Sequence, residues 1–295
     1  VRKQPAPSAV MAQGTRLVAP VLSAVGGSGR SIVANLLACA LAPTGATVVL
    51  DTAPRLSSPW PAWTSGGPAA GLAALPADQP LSPAQVRQAA SCRPGLDGSQ
   101  WQVLTDGRDW HTRPLALPDE PAAWHQLSAI DGWQAVVADT AHPMAHDVLA
   151  ARCAGRQGQT RGWCELPYAI PVLCAAATAQ GIQALQQAVM ALHAEGLPLQ
   201  RAVVALVAPT DGRTPAVVRA GATMLGPRTA AVVHLPYDPG IRAHGLGIPS
   251  RLRPRTRQAA GQLAAAVHAA ARAAWGDPLP HAPRPAPLSV PVPAL

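Results

Sequence analysis

The chain has 295 residues, 48% of them hydrophobic, which allows a sizeable core in one large domain or two small ones. Its formal charge of +8 rests on only 13% charged residues, so the excess reflects scarce acids more than a dense basic face, and affinity for DNA or anionic lipid is allowed without being required. No apolar run is long enough to span a bilayer and Val1 to Gly14 lacks a signal-peptide core, so the protein is expected to be cytoplasmic; Cys39, Cys92, Cys153, Cys164 and Cys174, odd in number and without a C-x-x-C pair, argue against a disulfide framework or a zinc ribbon and read as reduced thiols.

In chain order, residues 1–14, rich in Pro, Ser, Ala and Gln, read as a poorly ordered lead-in. Leu17 to Val25 is an apolar strand that breaks at Gly26, Gly27, Ser28, Gly29, Arg30, Ser31, and Ser31 to Leu41 is a helix apolar on more than one face, as expected of one packed deep against a sheet. Strand, glycine-rich turn and helix N-terminus in that order make an anion site, because unpaired N–H groups and the positive end of the helix dipole meet there. The ordinary phosphate loop reads G-x-x-x-x-G-K-[ST]. Here Arg30 stands in the place of its lysine, in a chain whose 23 basic residues include one lysine, Lys3, the bias expected of a GC-rich genome.

Thr47 to Asp51 is a short apolar run ended by an acid, the pattern of a buried parallel strand whose C-terminal end faces a site. Thr52 to Pro80, rich in Pro, Gly and Ser around Trp60 and Trp63, reads as a loop with one short helix. Ser82 and Pro83 start a helix to about Ala90; Trp101 to Thr105 is a strand, and Asp119 to Ile130 a helix. Trp133 to Asp139 repeats the apolar strand ending in an acid, which marks Asp139 as a candidate for magnesium. Further strands at Ile170 to Cys174, Arg201 to Ala208 and Thr229 to Leu235 alternate with helices at Thr178 to Ala194, Val217 to Leu225 and Arg257 to Trp275. Seven strands alternating with helices predict an α/β fold with a mostly parallel, doubly wound sheet in a single domain over residues 15–276, followed by a Pro-rich disordered tail at 277–295. His142, His146 and Asp147 have helical ligand spacing, but no third ligand or H-E-x-x-H glutamate accompanies them, which argues against zinc.

Four segments in order resemble the MinD/ParA family of P-loop ATPases. Val25 to Ser31 is similar to the family's deviant loop K-G-G-x-G-K-[ST], Val48 to Leu56 to its V-D-x-D-P segment, Val136 to Pro143 to D-T-x-P, and Val232 to Leu246 to the late I-P-Y-D segment. The resemblance implies a nucleotide site, with ATP and Mg²⁺ as cofactors: Gly26, Gly27, Ser28, Gly29, Arg30, Ser31 and Ile32 on the phosphates, Pro236, Tyr237 and Asp238 near the base, Ser31 and Asp139 at the metal, and Asp51 and Asp139 in catalysis. It also implies a homodimer and a protein partner, with nonspecific DNA or membrane contact open to the basic cluster Arg251, Arg253, Arg255 and Arg257. Three departures bear on chemistry. Val25 replaces the lysine that reaches the partner's nucleotide, Arg30 replaces the phosphate-loop lysine, and Ala53 replaces the aspartate that orients water. Nucleotide binding therefore survives the comparison better than hydrolysis, and the expected role is a positioning or assembly switch. An ATPase using Arg30, or a scaffold that kept only the fold, are the alternatives.

Overall fold

The structure, a computed structural model, describes residues 10–64, 71–76, 79–246 and 252–285. In chain order the elements are β1 (Leu17–Ser23), α1 (Arg30–Leu41), β2 (Thr47–Asp51), α2 (Trp60–Trp63), α3 (Pro83–Ala89), β3 (Ser91–Pro94), β4 (Gln100–Leu104), α4 (Pro121–Ile130), β5 (Ala135–Pro143), α5 (Met144–Cys153), α6 (Gln159–Glu165), β6 (Val172–Ala176), α7 (Ala179–Ala194), β7 (Val203–Val207), α8 (Ala216–Leu225), β8 (Ala231–Leu235), α9 (Pro239–His244) and α10 (Pro254–Trp275). The strands form one sheet in the order β3-β4-β2-β5-β1-β6-β7-β8, and all neighbours are parallel except β3 and β4.

Alternation along the strands divides the core. Leu17, Ala19 and Val21 of β1 face α1 and α10, whereas Val18 and Leu22 face the opposite layer of α3 to α8. Helix α1 is apolar almost all round because it lies between the sheet and the Ala-rich face of α10, where Ala260, Leu263, Ala264 and Val267 are buried. With no phenylalanine in the chain, indoles fill the large core volumes. Each of Trp60, Trp101, Trp124 and Trp133 is buried with its N–H donated to an oxygen, as a buried indole requires.

The structure adds to the sequence reading in three places. An eighth strand, β3, pairs antiparallel with β4 through a hairpin turn at Asp97 and Gly98. It carries no apolar inward residues: Ser91 and Arg93 point in, and Arg93 donates to the carbonyls of Trp63 and Leu246 while stacking 5.8 Å from the Trp101 ring. Of the two ends expected to be disordered, residues 1–9 and 286–295 lie outside the described residues, and the described parts make hydrogen bonds to the domain. Met11 N–H donates to the Thr44 carbonyl at 2.7 Å, Gln134 holds the Met11 and Ala12 carbonyls, and Ala282 N–H donates to the Gly14 carbonyl at 2.8 Å. The pairing satisfies backbone groups at both ends of the described chain. Lastly, residues 144–165, given no helix in the sequence reading, form α5 and α6.

Arg253, Arg255 and Arg257 are exposed at the start of α10, and Arg251 lies outside the described residues. Among the described residues no helix is long and apolar enough to cross a membrane.

One buried ring sets a pH dependence. His125 on α4 is 4% exposed, its Nε2 has no partner, and burial, reinforced by the nearby Arg16 charge, lowers its pKa from 6.5 to about 4. Folding therefore favours the neutral ring, so the stability it contributes is full above 6.5 and is lost as the pH falls through 4. His125→Gln is expected to flatten the fall of melting temperature across that acid interval by about one proton's worth, and parallel curves for the two proteins would refute this.

Candidate functional site

Strand β1 is buried along its whole length and delivers the chain to the C-terminal edge of the sheet, where β5 lies on one side of it and β6 on the other. The connection from β1 goes to β2 on one side and the chain later crosses to β6 on the other, so this edge is the topological switch point where α/β sheets open a crevice. The loop there turns through left-handed backbone at Gly27 (φ 70°) and Gly29 (φ 88°), and Gly29 caps α1 without a side chain. A Cβ at Gly29 would also stand 3.2 Å from both Val207 methyl groups. The first turn of α1 holds no acid, so its N–H groups, which have no intrahelical acceptor, keep their full affinity for an anion. Beneath the loop the Cys174 thiol donates to the Ser28 carbonyl at 3.1 Å, while the Ser28 hydroxyl is buried with no partner.

The two predicted acids meet. Parallel pairing of β2 with β5 sets Asp51 directly beside Asp139, and they are 1% and 4% exposed. Burial pushes the Asp51 carboxyl up to about 7 against the pull of the Thr105 and Ser58 hydroxyls, which donate to Oδ2 at 2.6 and 2.7 Å. The Ala53 N–H reaches Asp51 Oδ1 at 3.2 Å. Burial likewise raises Asp139, opposed by the Ser31 hydroxyl, the Trp60 indole and the Arg30 charge. Trp60 Nε1 donates to Asp139 Oδ2 at 2.8 Å.

Arg30 leaves the glycine loop sideways. Its guanidinium donates to the carbonyls of His142 at 2.9 Å and Ala141 at 3.2 Å, at the end of β5, and it remains beside Asp139. Ser31 and Asp139 are thus brought together, as the metal assignment requires. Even so, Asp139 Oδ2 is taken by the Trp60 indole, and among the described residues no group of three His, Cys, Asp or Glu could hold a metal by itself.

Beside the loop lies a cleft of about 240 Å³ between Ile32 of α1 and the ends of β7 and β8, walled by Val207, Leu235, Pro236, Tyr237 and Ile241. Asp238 borders it but serves the fold. Its Oδ1 accepts from Gly240 N–H at 2.9 Å, and its Oδ2 accepts from Arg253 N–H at 2.9 Å and the Thr256 hydroxyl at 2.7 Å, so it caps α9 and pins the start of α10. Those donors outweigh the cost of burying the charge and hold the acid below the usual carboxylate range. Val25 is 43% exposed at the mouth of the site. The histidine pair does not converge: His146 is exposed, His142 meets the Thr160 hydroxyl at 3.0 Å, and Asp147 accepts the Gln159 and Thr160 N–H groups that begin α6.

No protein-family model matches the sequence, and the search of curated proteins gives no match. Solved structures do. The cell-division ATPase MinD of Pyrococcus furiosus superposes with a TM-score of 0.53 at 18% identity, covering 86% of this chain and 98% of MinD. The fold is that of MinD. Apo McdA of Cyanothece gives 0.54 at 15% identity over 85% and 99% of the two chains, and the MinD of Pyrococcus horikoshii, complexed with Mg-ADP, gives 0.51 at 17% over 85% and 95%. Because nearly all of each MinD chain is covered, the protein carries the MinD architecture entire, as the doubly wound α/β reading anticipated. Its departures from the MinD/ParA motifs at Val25, Arg30 and Ala53 lie on this shared frame.

Proposed function

We propose that the protein is a cytoplasmic, ATP-binding switch for positioning or assembly whose hydrolysis is slow or absent. The observation that carries this is the glycine loop itself: two left-handed glycines, an uncapped helix N-terminus and the unpartnered buried Ser28 hydroxyl, beside a cleft with apolar walls. The fold supports the nucleotide class, since MinD of P. horikoshii holds ADP and a McdA variant of Cyanothece holds ATP. In this reading Gly26 to Ile32 receive the phosphates and Pro236 and Tyr237 border the base.

Slow turnover follows from what the site lacks. Ala53 offers only its N–H, spent on Asp51, and Val25 offers no cation to a partner. A homodimer with a further protein partner belongs to the same reading. In its favour, Val25, Leu56 and Trp110 are exposed in segments that follow the C-terminal ends of β1, β2 and β4, so exposed apolar side chains stand along that edge of the sheet.

Two measurements test the proposal. Equilibrium titration with a fluorescent ATP analogue is expected to saturate. Phosphate release at saturating ATP is expected far below the enzyme median of about ten per second. Release at that median rate would favour the active ATPase with Arg30 as its cation, and no binding at all would favour the scaffold.

A further inference from the structure

We propose that this site takes its nucleotide without a divalent cation, with Arg30 as the resident positive charge and Trp60 as the residue that keeps Asp139 out of metal binding. The inference rests on the nucleotide reading above and specifies the ionic form of the ligand: the metal-free phosphate chain rather than its magnesium complex.

Three features of the geometry carry it. First, the groups placed to hold a metal and its water are turned on one another. The Ser31 side chain pulls the Asp139 carboxyl toward its charged form, and the indole N–H of Trp60 donates to Asp139 Oδ2 at 2.8 Å. That proton takes one of the acceptor positions of Oδ2 that a metal-bound water could use. The indole cannot swing aside cheaply, because Trp60 is fully buried with edge-on contacts to Trp63 at 5.4 Å and Trp101 at 6.0 Å. Second, the neighbouring acid is closed as well. Thr105 and Ser58 cover Asp51 Oδ2 and the Ala53 N–H meets Oδ1, so Asp51 cannot stand in for Asp139. Third, a fixed cation is already installed. The Arg30 guanidinium is anchored on the Ala141 and His142 carbonyls beside Asp139, and a guanidinium keeps its charge and has further N–H donors in a planar array suited to phosphate oxygens. A magnesium-bound water directed at Asp139 would compete with the Trp60 indole for Oδ2.

The test compares the full chain titrated with a fluorescent ATP analogue in excess magnesium and in excess EDTA. The two dissociation constants are expected to agree within about twofold, and a loss of about tenfold or more in EDTA would overturn the proposal. Absence of binding in both buffers would overturn the nucleotide reading and this proposal with it, whereas binding confined to magnesium would overturn this proposal alone. The comparison needs no variant, so it does not depend on whether a mutant folds. Trp60→Phe, which keeps an aromatic ring and removes the N–H, adds a second readout. It is expected to make binding magnesium-dependent, with the EDTA to magnesium ratio rising to about tenfold. An unchanged ratio in a variant with wild-type circular dichroism would remove Trp60 from the argument.

Discussion

Asp238→Ala is expected to destabilise the protein by about 3 to 5 kcal/mol, the sum of three hydrogen bonds to an ionised acid discounted for relaxation. The substitution removes the common acceptor of the Gly240 and Arg253 N–H groups and the Thr256 hydroxyl, and Thr256 is only 1% exposed, so its hydroxyl is left without water to replace the partner. A fall in melting temperature on the order of ten degrees should follow. Because the acid is held below the ordinary carboxylate range, the gap between wild type and variant should be full at neutral pH and narrow as the pH falls through the folded-state pKa. Asp238→Asn should recover part of the loss through its remaining carbonyl oxygen. A variant that melts like wild type but binds nucleotide poorly would show that Asp238 serves the ligand instead of the two helices.

Arg30→Ala is expected to weaken nucleotide binding about tenfold to a hundredfold, the range of a charge-assisted contact of about 1.5 to 3 kcal/mol. The fold should survive, since the side chain is only partly buried and anchors to two carbonyls at the rim of β5. Arg30→Lys preserves the charge and should retain much of the affinity, although an ammonium cannot bridge the two carbonyls in the same plane. Titration of the three proteins under one buffer separates charge from shape. Equal affinity in all three would remove Arg30 from the phosphate site.

Local signals made most of this readable from the residues. The apolar runs of β1, β2 and β5 read as strands buried on both faces; the glycine loop follows β1, Asp51 ends β2, and Asp139 lies beside it within β5, which continues to Pro143. What stayed hidden depends on partners far along the chain. β3 was invisible because its inward positions are Ser91 and Arg93, and the ligands of Arg93 are carbonyls at Trp63 and Leu246. Helix α5 buries only Met144, Asp147, Val148 and Ala151, too thin a stripe to show a helical period. Trp60 lies in a Pro- and Ser-rich loop, and nothing near it announces that its indole meets an acid 79 residues away. Asp238 borders the cleft together with Pro236 and Tyr237, and its ties to the start of α10 appear only in three dimensions.

The Arg93 arrangement also bears on how copies of the protein can associate. A sheet margin normally offers unpaired peptide groups on which another chain can grow, but here that margin is a four-residue strand closed by Pro94 and carrying a guanidinium turned into the fold. Strand-by-strand polymerisation is blocked on that flank, because an incoming strand would find little ladder and a proline without an N–H. Contact between copies across that flank would have to rest on side chains, because the sheet itself cannot be extended there.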